Sequence, residues 1–234
     1  MAINKKGAMK TPLRHLIVAA TLTICAACEP ETGQAGGGRG RGDRFADRGI
    51  ARFEQRDYQG ALLALDSALA AGVSRHPLEH VHTLRGNALN ELNRFDEAVV
   101  AHRKAVEINP LFHEAWVNLG VVYRLQGDYD QAEASYLRAL AIAPNYPELH
   151  ASLGGLYIFK DEPAKAVASL ERAVALDRQL PLAHANLAMA YAMTGRFDEA
   201  ESELRRAIVL GYRNGPAVRE RIDAWKATQT VTPL

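Results

Sequence analysis

Hydrophobic residues between positions 113 and 146 recur with the period of an α-helix rather than that of a strand. One stripe, at i, i+3, i+4 and i+7, consists of Trp116, Leu119, Gly120 and Tyr123. A second stripe follows and consists of Ala132, Tyr136 and Ala139. The polar pair Gly127-Asp128 interrupts the pattern between the stripes, and Pro144 follows the second one. This pattern predicts two helices joined by a short turn, with the unit ending near the proline.

The same pattern recurs along the chain at a spacing of 34 residues. Five units align, at 42–75, 79–112, 113–146, 147–180 and 181–214, with an insertion at 76–78 after the first. The eighth position of each unit is small: Gly49, Gly86, Gly120, Gly154 and Ala188. Alanine occupies the twentieth position (Ala61, Ala98, Ala132, Ala166, Ala200) and the twenty-seventh (Ala68, Ala105, Ala139, Ala173, Ala207). Small side chains at fixed positions let the paired helices approach closely, and a larger residue such as Tyr136 fills the space beyond them.

The motif W-x₂-L-G-x₂-Y, with a later Ala, aromatic residue, Ala and Pro, resembles the tetratricopeptide repeat family. Unit three matches it nearly throughout, whereas unit one has Arg48 and Arg52 at motif positions and is interpreted as an atypical end unit. Pro163 replaces an aromatic residue in unit four, at a first-turn position where proline is tolerated. The resemblance implies an all-α superhelical solenoid of about five helix-turn-helix repeats over 44–214. A capping helix is predicted at 215–227, with a tail at 228–234, because a stacked array needs a terminal helix with a polar outer side.

The N-terminal residues predict a signal peptide at 1–28, with translation starting at Met1 or Met9. A basic region is followed by twelve apolar residues, Leu16 to Ala27, which are too few to span a bilayer as a permanent helix. The segment "CAAC" resembles the lipobox of bacterial lipoproteins, which implies lipidation of Cys28. Residue 30 is proline instead of the aspartate that retains such lipoproteins at the inner membrane. The resemblance therefore implies a lipid anchor on the periplasmic face of the outer membrane. Ordinary cleavage near Ala27 and an uncleaved anchor are the alternatives.

Composition and charge narrow the classes of partner. The Gly-rich stretch 29–43 predicts a flexible tether. The whole chain has 28 basic and 27 acidic residues; without residues 1–28, which hold four basic residues and no acid, the count is 24 to 27, a net −3. This mild balance argues against a protein that follows nucleic-acid phosphates. Both cysteines lie at 25 and 28, so no disulfide framework links the repeats.

The resemblance also implies a binding surface, because the first helix of each repeat lines the concave face in this family. Ligand contacts there usually come from the second, fifth, ninth, twelfth and thirteenth positions. The residues predicted to line the groove are Val117, Val121, Arg124, Leu125, Ile158, Phe159, Ala185, Met189 and Met193, with Asn118 and Asn186 at the sixth position. This face is largely apolar and has no lysine, which argues against the two-carboxylate clamp of the family's chaperone-tail binders.

The predicted function is a non-catalytic, membrane-anchored scaffold that binds an apolar or amphipathic segment of a partner protein, helical or extended. Alternatively, the same side chains pack against the C-terminal helix or a second subunit. An assembly factor similar to pilotins, an adaptor for cell-wall enzymes, and an accessory subunit of an enzyme are the other functions consistent with this layout. Oligomeric state is left open.

Catalytic and metal-binding motifs are sparse. The sequence contains no nucleophile elbow, phosphate-binding loop or zinc-spaced Cys/His set, so no catalytic residue and no cofactor are predicted. The one candidate metal cluster is His76, Glu79, His80 and His82, which a polar helix start explains equally well; no metal site is predicted. His150 and His184 occupy the position of Trp116 and are interpreted as packing residues.

Overall fold

The computed structural model describes residues 40–230, with side chains described as far as 228. All regular secondary structure in this part of the chain is α-helical. The helices are α1 (Arg41–Glu54), α2 (Tyr58–Ala71), α3 (Leu78–Glu91), α4 (Phe95–Ile108), α5 (His113–Gln126), α6 (Tyr129–Ile142), α7 (Pro147–Phe159), α8 (Pro163–Leu176), α9 (Pro181–Met193), α10 (Phe197–Val209) and α11 (Gly215–Thr230). The predicted all-α solenoid of five helix pairs and a terminal helix is confirmed.

A short turn joins the two helices of each pair. Gly127 ends α5 in the left-handed conformation, with φ at 84°, which glycine adopts without a steric penalty. Asp128 then caps α6, because its Oδ1 accepts a hydrogen bond from the backbone N–H of Gln131 at 3.2 Å. Pro163 lies in the first turn of α8. A backbone N–H at this position would have no partner within the helix, so the proline costs no helical hydrogen bond. The predicted break at Gly127-Asp128 and the tolerance of Pro163 are both confirmed.

The two helices of a pair meet where the eighth position of the repeat faces the twenty-fourth. A Cβ atom placed on Gly120 would lie 2.5 Å from Cε1 of Tyr136, which no real pair of atoms tolerates. The same close approach occurs between Gly86 and His102, and between Gly154 and Leu170. Small residues at the eighth position therefore allow a large side chain from the second helix to lie directly against the first, as predicted.

Each second helix packs against the first helix of the next pair: α2 on α3, α4 on α5, α6 on α7 and α8 on α9. Some first helices also contact one another directly. α1 contacts α3, α3 contacts α5, and α7 contacts α9, whereas no comparable contact joins one second helix to the next within residues 40–230. The array is therefore tighter on the side of the first helices. That side is the inner, concave surface, and α2, α4, α6, α8 and α10 form the outer surface.

Helix α1 starts at Arg41, one residue before the predicted first repeat at 42–75. Asp43 anchors this start. Its Oδ1 accepts hydrogen bonds from the backbone N–H groups of Ser74 and Arg75 at 2.9 and 3.0 Å, and its Oδ2 accepts one from the Ser74 hydroxyl at 2.7 Å. These bonds hold the pKa of the Asp43 carboxyl well below its usual range. They tie the first turn of α1 to the last two residues of the first repeat.

Helix α11 packs against α9 and α10 as the predicted capping helix and ends three residues later than predicted, at Thr230. Its buried side chains are Val218 and Ile222, with Trp225 half-buried beside them. No helix within residues 40–230 has both the length and the apolar character needed to cross a bilayer. The predicted signal peptide, Cys28, most of the predicted tether and residues 231–234 lie outside the described residues.

Candidate inner-face binding site

All residues predicted to line the groove lie on the first helices α5, α7 and α9, but their accessibility differs. Most are buried: Val117, Asn118, Val121, Arg124, Ile158, Ala185, Asn186 and Met189. Three remain half-buried at the inner surface: Leu125, Phe159 and Met193. These three share the thirteenth position of their repeats, and we call them the position-13 row. They are the part of the predicted apolar groove that a ligand reaches without rearrangement.

The inner face closes at the C-terminal end of the array. Ala185 and Met189 are 0% and 1% exposed, and Met189 belongs to the same hydrophobic cluster as Val218 and Ile222 of α11. Helix α9 is enclosed because α7 contacts it on one side and α11 on the other. Packing near the C-terminal helix is the alternative considered from the sequence, and the position of Met189 is consistent with it. Neither side chain is accessible to a ligand in this structure.

Arg124 introduces a positive charge beside the position-13 row. The side chain is only 9% exposed, and its Cζ lies 5.9 Å from the ring centroid of Phe159. The Phe159 ring in turn stacks on Tyr129 at 5.8 Å. Within residues 40–230 no carboxylate forms an ion pair with Arg124. A nearly buried guanidinium without a counter-ion retains N–H groups for an acceptor brought by a ligand.

The charge of Arg124 also affects the pKa of Tyr136, which lies inside the helix pair. Its ring is fully buried against Gly120, and this burial raises the pKa of its hydroxyl. The nearby charge of Arg124 acts in the opposite direction, toward a lower pKa. Arg124 therefore interacts electrostatically with a buried hydroxyl as well as lying beside Phe159 at the inner surface.

A row of polar side chains on α3 was not predicted as part of the site. His80, Thr83, Asn87 and Asn90 occupy the second, fifth, ninth and twelfth positions of the second repeat, on one face of the helix. Each has a buried nitrogen or oxygen without a hydrogen-bond partner among the described residues: His80 Nδ1, Thr83 Oγ1, Asn87 Oδ1 and Asn90 Oδ1. We call these four residues the polar stripe. The ligand-contact positions that we used to select residues on α5, α7 and α9 also identify this stripe when they are applied to the second repeat.

The candidate metal cluster is not brought together. His76 Nε2 lies 2.9 Å from Asp47 Oδ1, whereas Glu79 accepts a hydrogen bond from Asn109 at 3.1 Å. The His80 ring lies against Phe112 at 4.6 Å, and burial lowers the pKa of His82. No group of three His, Cys, Asp or Glu side chains suited to a metal ion occurs within residues 40–230.

The fourth position of the repeat has a structural role that recurs three times. Trp116 Nε1 donates to the carbonyl of Pro110 at 3.0 Å, six residues earlier. His150 Nε2 lies 2.9 Å from the carbonyl of Pro144, and His184 Nε2 lies 3.1 Å from that of Arg178, again six residues earlier. The indole and the two imidazoles thus hold the loop that precedes each first helix. The interpretation of His150 and His184 as packing residues is confirmed.

Comparison with known proteins agrees with this architecture. Family models described as "Tetratricopeptide repeat" match residues 113–146 and 157–210, and a model described as "TPR repeat" matches residues 86–127. The chain carries tetratricopeptide repeats. Solved structures show the same fold. A crystal structure of MamA is 20% identical, covers 75% of this chain and 94% of its own, and superimposes with a TM-score of 0.62.

Two further structures show the same fold. MamA from Desulfovibrio magneticus RS-1 is 18% identical, covers 72% of this chain and 94% of its own, and has a TM-score of 0.64. The thermophilic TPR protein TTC0263 from Thermus thermophilus is 22% identical, covers 80% of this chain and 99% of its own, and has a TM-score of 0.59. At these identities the likeness establishes the fold and leaves the ligand open.

One curated protein is similar over a shorter stretch. Protein O-mannosyl-transferase TMTC1 from Homo sapiens is 34% identical over 78 residues, which is 32% of this chain. The chain spans only 9% of that protein's length. The likeness does not bear on whether this chain has transferase activity.

Proposed function

We propose that the repeat array is a non-catalytic scaffold whose inner face binds a segment of another protein. The tetratricopeptide fold is consistent with such a role, since proteins of this kind typically bind protein partners. The observation that carries the proposal is the position-13 row beside Arg124. It combines accessible apolar side chains with a guanidinium that has no carboxylate partner among the described residues.

The chemistry of this surface defines the segment. Apolar side chains of the ligand would contact Leu125, Phe159 and Met193, of which the thioether is the most adaptable. The Arg124 guanidinium would bind a backbone carbonyl or a carboxylate of the same segment, since both are acceptors. The segment is therefore apolar or amphipathic, with an acceptor that reaches Arg124.

The polar stripe on α3 extends this surface toward the N-terminal repeats. Buried polar atoms without partners are rare in native proteins, so oxygen atoms of this kind on Asn87 and Asn90 are candidates to accept backbone N–H groups. Asn118 on α5 has an unpartnered Nδ2 and is likewise a candidate donor to a carbonyl of the ligand. Asn87 and Asn118 are buried, so binding through them requires their side chains to move.

Site-specific photocrosslinking in cells would test the inner-face proposal. A benzoylphenylalanine placed at Phe159 or at Met193 should capture the same partner. The same probe at Leu63 or Val100, which lie exposed on the outer helices α2 and α4, should not capture it. Identical adducts from all four positions would refute the proposal.

The guanidinium would be tested with a substitution in the crosslinkable chain. Arg124→Gln should reduce capture at Phe159 about tenfold while leaving the circular-dichroism spectrum unchanged, because it removes a charge-assisted hydrogen bond to the ligand. Leu63→Gln, on the outer surface, is the matched control and should leave capture unchanged.

We also propose that the array is tethered to the periplasmic face of the outer membrane through lipidated Cys28. The support comes from the sequence, where a basic and apolar leader ends in a lipobox-like segment followed by a Gly-rich stretch. An envelope assembly factor and an adaptor for cell-wall enzymes would both use an anchor, a tether and a groove. Labelled palmitate should enter the wild-type chain and a Cys25→Ser variant but not Cys28→Ser. Equal labelling of all three would refute the anchor.

A further inference from the structure

The outer surface has a cavity of about 260 Å³ between the second and third repeats. It is bounded by α4, α5 and α6, and its walls are Arg103, Val106, Trp116, Leu119, Tyr123, Gln131, Ala134, Ser135 and Arg138. Its α5 residues occupy the fourth, seventh and eleventh positions of the repeat. They lie on a different side of that helix from Val117, Val121 and Arg124, so this cavity is separate from the inner face.

Two arginines line the cavity, and neither has a carboxylate partner in the part of the chain that the structure describes. Arg103 donates from Nε and Nη2 to the hydroxyl of Tyr123, at 3.0 and 2.6 Å. This fixes the guanidinium against the Tyr123 ring, 5.9 Å from the ring centroid, and leaves its remaining N–H groups available. Arg138 forms neither an ion pair nor a hydrogen bond with any residue between 40 and 230. Two positive charges thus face one small space.

The clefts between the other repeats hold their own carboxylates. Asp66 occupies the repeat position of Arg103 in the first repeat and pairs with Arg85 at 2.6 Å. Glu171 occupies that position in the fourth repeat and accepts a hydrogen bond from Tyr191 at 2.9 Å.

In the cleft between the third and fourth repeats, Leu137 occupies the position of Arg103. There the hydroxyl of Tyr157 donates to Glu133 at 2.9 Å. Among the described residues, the cleft between the second and third repeats therefore differs from its neighbours, because its arginines have no carboxylate beside them.

We propose that this cavity is a second binding site, which takes a carboxylate on an apolar or aromatic body, supplied by an acidic residue of a partner protein. Guanidinium groups bind carboxylates with paired, charge-assisted hydrogen bonds, and Arg103 and Arg138 supply the donors. The ring of Trp116 and the side chains of Val106 and Leu119 form the apolar wall for the neighbouring side chain.

The volume of the cavity limits which kind of molecule can supply the carboxylate. Sites for drug-sized ligands range from about 300 to about 1,000 Å³, and this cavity is smaller. It holds an acidic side chain and part of a neighbouring residue but not a nucleotide or a larger cofactor. An acidic residue held in place by the rest of a protein segment fits these dimensions.

Fluorescence of Trp116 provides a direct readout, since the chain has two tryptophans and Trp225→Phe leaves only the one at the cavity. The probe is the capped dipeptide N-acetyl-Phe-Glu-amide, and N-acetyl-Phe-Gln-amide is its uncharged isostere. The acidic probe should change the emission saturably and bind at least about tenfold more tightly than the isostere, because only its carboxylate pairs with the two guanidinium groups.

Variants separate this site from other cationic positions. Arg103→Gln and Arg138→Gln should each weaken binding of the acidic probe about tenfold. Arg172→Gln changes the same repeat position as Arg138, one repeat later, where the guanidinium donates to Asn145 at 2.9 Å. That variant should bind the probe as the parent does. Phe159→Gln, on the inner face, should also leave binding of the probe to the outer cavity unchanged. The two proposed sites are therefore tested independently of each other.

Three results would overturn the proposal. The first is equal binding of the acidic probe and its isostere, and the second is wild-type affinity in both Arg103→Gln and Arg138→Gln. The third is free phenylacetate binding as tightly as the dipeptide, which would show that a protein segment contributes nothing.

Discussion

His102 is an ionisable side chain where the other repeats have Leu65, Tyr136, Leu170 and Leu204. It is fully buried against Gly86, and neither ring nitrogen has a hydrogen-bond partner among the described residues. Burial lowers its pKa to about 3, since the charged imidazolium is disfavoured away from water. The imidazole is therefore a neutral core residue, and its polar atoms lower the stability of the fold.

We predict that His102→Leu stabilises the chain and reduces its sensitivity to acid. In the wild type the unfolded chain takes up a proton below pH 6.5, while the folded chain stays neutral until about pH 3. The free energy of unfolding therefore falls with decreasing pH in this window, by about 1.4 kcal/mol per pH unit from this group alone. Leucine removes that loss and also removes two unpaired polar atoms, which adds about 1 kcal/mol at pH 7.

Urea denaturation at pH 7.5 and pH 5.5 would measure both effects. The gain in unfolding free energy of the variant over the wild type should be larger at pH 5.5 by about 1 kcal/mol. A gain that is the same at both pH values would show that the wild-type imidazole takes up its proton while folded.

The contact between the eighth and twenty-fourth positions determines how closely the two helices of a repeat approach. We predict that Gly120→Ala destabilises the chain by about 1–3 kcal/mol, because the new methyl group meets the ring of Tyr136. Repeat five has Ala188 at the same position, with Leu204 at the facing one, so alanine is compatible with a leucine partner. The double variant Gly120→Ala/Tyr136→Leu should therefore recover part of the loss.

A double-mutant cycle by thermal or urea denaturation would measure this coupling. The cost of Gly120→Ala should be smaller in the Tyr136→Leu background than in the wild type. If the two costs add without interaction, the methyl group does not clash with the ring.

At the level of helices, the sequence predicted the pairs, their turns and the capping helix, since these depend on local spacing. It could not predict how the first turn of α1 is held, because those contacts join Asp43 to Ser74 and Arg75, more than thirty residues away in the sequence. The residues predicted for the groove all lie on first helices, and their role in binding stays a prediction. Which of those positions are accessible could not be predicted, since burial of Met189 depends on how tightly α7, α9 and α11 stack.

The polar stripe and the outer cavity were missed for a related reason. In the sequence, each residue of the polar stripe taken by itself looks like an ordinary polar residue of a helix. Their shared lack of partners becomes visible only when the neighbouring helices are in place. Likewise, Arg103 and Arg138 are 35 residues apart in sequence, and the packing of α4 and α6 around α5 brings them to one cavity.

At the level of the whole molecule, each repeat contacts only its neighbours, so stability is transmitted along the array step by step. We predict that removing residues 215–234 destabilises the C-terminal end and leaves the centre of the array folded. Val218 and Ile222 are buried against α9 and α10, and losing their burial should cost about 3 kcal/mol or more. A chain that ends at Thr230 retains α11 and is the matched control.

Hydrogen exchange would locate the change along the chain. In the truncated protein the amides of α9 and α10 should exchange much faster, while those of α5 and α6 should keep most of their protection, because local opening spreads only to adjacent repeats. The same truncation removes a helix that contacts α9, so a partner that prefers an apolar groove should bind the shortened chain through a longer contact. Uniformly faster exchange in every helix would instead show that α11 stabilises the array as one cooperative unit.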